Sequence, residues 1–100
     1  MTQQQNPYAK IMKIEPNVQR AELIIIPHDT SQKSMFTTYA RKAVNEFNEF
    51  PTATFQNLLR CLQFWIIERN SDEYELRSKD GWITCFHKGI KIFIIKHNQL

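Results

Sequence analysis

Hydrophobic and polar positions along this chain change period from helical to strand-like. From Phe36 the apolar side chains fall at Phe36, Tyr39, Ala40, Ala43, Val44 and Phe47, a three-and-four spacing that lays them along one side of a helix. Arg41, Lys42, Asn45, Glu46 and Glu49 make its wet side. Pro51 ends the helix because its ring disfavours helical geometry at Phe50, and Thr52 or Thr54 then offers a side-chain oxygen to cap a second helix. Phe55, Leu58, Leu59, Leu62, Trp65 and Ile66 repeat the helical spacing, with Cys61 and Ile67 widening the apolar side, until Asn70, Ser71 and Asp72 stop it. So short a corner makes the two helices neighbours.

The last third has the period of strands. Residues 73–78, 82–87 and 90–97 are three runs separated by Asp80-Gly81 and Lys88-Gly89. Asp-Gly is a strong hairpin signal because both central residues of a type I′ turn need positive φ, and Lys-Gly supplies one such residue. Two-residue loops set Lys79 opposite Trp82 and His87 opposite Ile90, and regular pairing then fixes every row. One face stacks Tyr74 with His87 and Ile90, Leu76 with Cys85 and Ile92, and Ser78 with Ile83 and Ile94. Its apolar character predicts that the helices cover it. The other face stacks Glu75 with Phe86 and Lys91, Arg77 with Thr84 and Phe93, and Lys79 with Trp82 and Ile95.

Upstream, residues 21–26 form a β-branched run closed by Pro27, which predicts a strand in the same sheet. Residues 28–33 are polar, and Asp29, Thr30 and Ser31 announce the approach of a helix. Residues 8–18, which follow Pro7 and contain Pro16, read as an edge strand. The Gln- and Asn-rich start has too little apolar surface to offset ordering, so residues 1–9 are expected to be a mobile polar tail ahead of a single domain over 10–100. The predicted fold class is α+β: an N-terminal strand and two consecutive amphipathic helices packed on a C-terminal three-stranded antiparallel meander.

Composition narrows the function classes. One hundred residues with 42% apolar and 23% charged content specify one compact domain and exclude a multidomain enzyme. No apolar run is long enough to span a bilayer, and the first residues lack the basic-then-apolar order of a secretory signal, so a cytoplasmic protein without a membrane partner is expected. Thirteen Lys and Arg against ten Asp and Glu leave +3, a slight bias toward polyanions. Cys61 and Cys85 lie inside apolar periodic segments and are expected to be buried free thiols.

The aromatic and basic sheet face is the strongest candidate site. Flat rings accept stacked bases while Lys and Arg neutralise phosphates, which is what single-stranded nucleic acid or RNA requires. Trp82, Phe86 and Phe93 would form the platform, with Arg77, Lys79 and Lys91, and further Lys88 and Lys96, as electrostatic contacts. The same residues suit a protein interface, so an adaptor, an inhibitor or a homodimer is the alternative. The bland reading is that other parts of the chain or a second subunit cover this face.

Catalytic patterns are thin. Cys85 and His87 share one strand face, and Cys61 is a conceivable third metal ligand, but no CxxC, HExxH, phosphate loop or GxSxG is present, so no metal and no cofactor is expected. A small metal-independent ribonuclease would draw on His87 beside Lys88 and Lys91, or on His28 with Asp29. Two helices followed by a hairpin also echo a winged helix, although the second helix lacks a basic recognition surface. A non-enzymatic binding protein is therefore favoured, with nucleic acid narrowly ahead of a protein partner.

Overall fold

A computed structural model of the chain describes residues 19–50 and 53–99. In chain order the elements are β1 (Gln19–Ile25), α1 (Asp29–Lys33), α2 (Met35–Glu49), α3 (Phe55–Glu68), β2 (Tyr74–Lys79), β3 (Trp82–His87) and β4 (Ile90–Gln99). The strands form an antiparallel sheet in the order β1-β4-β3-β2, so the N-terminal strand joins the meander beside its last strand. This is the expected α+β architecture. The polar tail and the edge strand expected over 8–18 lie outside the described residues.

Local chemistry explains the element boundaries. Ser34 caps α2, its hydroxyl oxygen accepting from the backbone N–H groups of Phe36 at 3.2 Å and Thr37 at 3.4 Å. Asp29, Thr30 and Ser31, expected only to precede a helix, are themselves in the one-turn α1. Thr54 caps α3 by accepting from Asn57 N at 3.1 Å. Both hairpin turns have positive φ at their two central residues, 52° at Asp80 and Lys88 and 82° at Gly81 and Gly89, the geometry that keeps the twist of the flanking strands.

The core lies between the helices and one face of the sheet. Phe36 is its hub, with ring centroids 4.6 Å from Trp65, 5.0 Å from Tyr74 and 5.7 Å from Phe93. Ala40, Ala43, Val44 and Phe47 complete the buried stripe of α2, and Leu58, Leu59, Leu62 and Trp65 that of α3. Burying each large apolar side chain of this set contributes about 1.5–3 kcal/mol. Cys61 and Ile67 depart from expectation. Both are exposed, because the buried stripe of α3 is narrower than its apolar residues allow.

The sheet register also departs from regular pairing. The β2–β3 pairs are those counted from the Asp80-Gly81 turn, and β3–β4 starts as expected with His87 opposite Ile90 and Phe86 opposite Lys91. The next pair is Cys85 with Phe93, so Ile92 is an extra residue in β4. A bulge of this kind reverses the facing of every later residue in the strand. Ile92 and Phe93 both turn inward and are fully buried, Ile95 follows them inward, and Ile94 and Lys96 turn outward.

Asn48, near the end of α2, brackets the edge of β1 that points away from β4. Its side-chain oxygen accepts from Ala21 N at 2.8 Å and its amide nitrogen donates to Ala21 O at 2.9 Å, as a neighbouring strand would.

Candidate nucleic-acid interface

The face of the sheet away from the helices carries the residues singled out from sequence, except Phe93, which is buried, and Lys88, which lies in a turn. Trp82 is 40% exposed on β3, with Lys79 opposite it on β2 and Lys96 opposite it on β4. Lys96 holds its Nζ 5.4 Å from the Trp82 ring centroid. Four residues on, Phe86 is half-buried beneath the Arg77 guanidinium, whose Cζ is 4.8 Å from the ring centroid, and Lys91 lies opposite Phe86 on β4. Thr84 sits between the two rings, with Arg77 opposite on β2 and Ile94 opposite on β4.

Side-chain alternation puts the two rings on one face of one strand, about 13 Å apart. By register the same face takes Glu22 and Ile24 of β1, opposite Lys96 and Ile94. Among the described residues Arg77, Lys79, Lys91 and Lys96 share this face with Glu22 and Glu75, which gives it an excess of positive charge. Cation–π attraction seats two of the cations on the rings.

Phe93 departs from expectation. It is fully buried against Phe36 in the core, because the bulge at Ile92 turns it away from the row it was expected to share with Arg77 and Thr84. Ile94 takes its place. Lys88 is exposed at the first central position of the β3–β4 turn, at the end of the sheet. Lys96 gains importance, and the bulge was signalled by it: regular alternation would have carried a lysine onto the helix-covered side.

The catalytic candidates are held by local bonds. His87 Nε2 is 3.0 Å from Glu73 Oε1, its ring stacks on Tyr74 at 4.5 Å, and Tyr74 Oη is 3.0 Å from Ser34 Oγ. The other ring nitrogen, Nδ1, is buried and has no partner among the described residues. A groove of about 420 Å³ beside this cluster is lined by Asp29, Lys33, Ser34, Trp65, Tyr74 and His87 among others. An acid/base group must come within hydrogen-bond reach of substrate, and in this arrangement one nitrogen of His87 is occupied and the other lies beneath the surface. His28 Nε2 lies 2.9 Å from Lys91 O and 3.1 Å from Ser31 Oγ, tying α1 to β4.

Metal and thiol chemistry find no assembled site. Among the described residues no three of His, Cys, Asp and Glu come together, so Cys61, Cys85 and His87 do not form the metal trio considered from sequence. Burial pushes the Cys85 thiol up to about 12, which keeps it protonated and a poor nucleophile. Cys61 lines a separate groove of about 270 Å³ between α2 and α3, near Tyr39 and Phe47. Desolvation raises the Tyr39 phenol above its ordinary value, with the neighbouring Cys61 and Glu46 adding to the rise. The polar positions of α3 are Gln56, Asn57, Arg60, Gln63 and Glu68, and Arg69, which caps its C-terminus, is drawn over the Trp65 ring at 4.2 Å. Among the described residues no helix is long and apolar enough to cross a membrane.

Comparison with protein-family models, with curated proteins and with solved structures gives no match.

Proposed function

We propose that this is a small basic binding protein of the cytoplasm that holds single-stranded DNA or RNA on the outer face of its sheet. The observation that carries the reading is the seating of Lys96 on Trp82 and of Arg77 on Phe86, on the sheet face the helices leave uncovered. Rings supply the stacking that bases need in any sequence, and the cations beside them neutralise phosphates. Two free thiols accord with a reducing compartment. The buried and occupied nitrogens of His87 favour binding over catalysis.

The test is a titration of labelled single-stranded DNA and RNA, at two salt concentrations, with protein stripped of nucleic acid. Binding is expected to weaken steeply as salt rises. Trp82→Ala and Phe86→Ala are each expected to cost about 1–3 kcal/mol of binding while the fold is retained. Absence of binding at low salt overturns the proposal. A stable dimer by light scattering with no oligonucleotide binding would assign the same face to a protein interface.

A further inference from the structure

We infer that a second copy of this chain docks edge to edge on β2, the two strands pairing antiparallel about a twofold axis between their Leu76 residues to form one eight-stranded sheet. Among the described residues β2 pairs with β3 alone, so the strand order β1-β4-β3-β2 ends on an edge with no strand beside it. The two-residue turn at Asp80 and Gly81 makes Lys79 and Trp82 a hydrogen-bonded pair, and alternation then directs the backbone groups of Arg77, Glu75 and Glu73 toward β3. Lys88 N donates to Glu73 O at 2.7 Å, in keeping with that alternation. The backbone N–H and C=O groups of Tyr74, Leu76 and Ser78 therefore point away from the sheet, and a row of such groups is a template for another strand.

The side chains of this edge select the strand that fits. Over residues 73–79 the charges are sorted about Leu76, with Glu73 and Glu75 before it and Arg77 and Lys79 after it. Antiparallel pairing centred on Leu76 sets Glu75 opposite Arg77 of the second copy and Glu73 opposite its Lys79, and the twofold axis repeats both pairs. The same register matches the outward backbone groups, with Leu76 opposite Leu76 and Tyr74 opposite Ser78 as hydrogen-bonded pairs. Glu75 and Arg77 then form a non-hydrogen-bonded pair, in which Cα atoms come within about 4.5 Å and side chains are closest. Moving the axis by one residue sets Glu75 against Glu75 or Arg77 against Arg77. A charged edge that only repelled other strands would need no such order.

Within one chain Arg77 Nε already donates to Glu75 Oε2 at 2.9 Å, with both side chains more than half exposed. Across the axis these two ion pairs become a ring of four alternating charges on the outer face. On the inner face Leu76, half-buried against the core, meets its counterpart and adds an apolar contact. Trp82 stays one strand in from the contact and the outer face remains open, so the inference does not depend on what that face binds. A single short strand ladder is a small interface, so the dimer is transient and forms at concentrations on the order of 100 μM.

The test is sedimentation velocity at low salt, from about 1 μM to about 500 μM protein. The unaltered protein is expected to pass from monomer to dimer across this range. Arg77→Glu and Glu75→Arg each place like charges in both central rows and should weaken the dimer by at least about tenfold. A mixture of these two variants should form a heterodimer, because one chain then brings two acidic and the other two basic residues to those rows. The double variant Glu75→Arg with Arg77→Glu should recover the homodimer, which also shows that the altered chains fold. A protein that stays monomeric to about 500 μM overturns the inference, as does a dimer indifferent to both charge reversals. So does a dimer lost in Trp82→Ala, which would put the contact on the outer face.

Discussion

Arg77 lies over the Phe86 ring, its Cζ 4.8 Å from the centroid, while its Nε donates to Glu75 Oε2 at 2.9 Å. The cation is thus shared between a π face and a carboxylate, both of which compete with an incoming phosphate. Glu75→Gln removes the competing anion. The exposed pair is worth about 0.2–1 kcal/mol, so single-strand affinity should rise by up to about fivefold, and the salt dependence should steepen by the release of up to about one more counterion. Unchanged affinity would mean that Arg77 takes no part in binding.

The bulge at Ile92 separates two neighbouring residues that sequence alone treats alike. Phe93 is fully buried, whereas Ile94 faces outward beside Thr84. Phe93→Ala should destabilise the fold by about 3–5 kcal/mol in urea unfolding through the cavity it leaves. Ile94→Ala should leave stability nearly unchanged and affect oligonucleotide binding only. The reverse ranking would contradict the bulged register.

Most of the fold was legible in the chain because its signals are local. The stripes of α2 and α3, the end of α2 before Phe50 and the two positive-φ turns each depend on residues within one or two turns of each other. Facing in β4 beyond Lys91 depends on a single inserted residue, which no local propensity marks, and Phe93 was misplaced for that reason. Lys96 held the corrective information, since a lysine seldom enters a core unpaired. The contribution of β1 to the outer face was hidden because the pairing of β1 with β4 joins residues far apart in the chain. The exposure of Cys61 likewise reflects how widely α3 is covered, a tertiary property.

Asn48 is expected to protect a sheet edge as well as to add stability. Asn48→Ala leaves the N–H and C=O of Ala21 without their side-chain partner and should cost about 1–3 kcal/mol in urea unfolding. Asn48→Asp keeps an acceptor and loses the donor, so it should fall between the two. Equal stability of all three proteins would show that water replaces the bracket at no cost.

The two thiols should behave differently. At pH 8 an aromatic disulfide reagent should label the exposed Cys61 quickly and Cys85 only on unfolding. Burial raises the Cys85 pKa from 9.0 to about 12. Below pH 9 the native and unfolded states both hold the thiol proton, and Cys85 adds no pH dependence. Between about 9 and 12 the unfolded chain releases a proton that the native one keeps, so stability should fall as pH rises. In Cys85→Ala that part of the alkaline decline should disappear, whatever the change in overall stability. Its persistence would place the titrating group elsewhere.

The most direct test of the proposed function is a map of amide and indole resonances in a ¹⁵N-labelled sample during titration with nine-residue oligothymidylate. The expected shifts centre on Trp82, Thr84 and Phe86 and on Lys79, Lys91 and Lys96, with the Trp82 indole moving and the buried Trp65 indole still. Shifts confined to the groove between α2 and α3, or none at a protein concentration well above micromolar, would contradict a nucleic-acid site on the sheet.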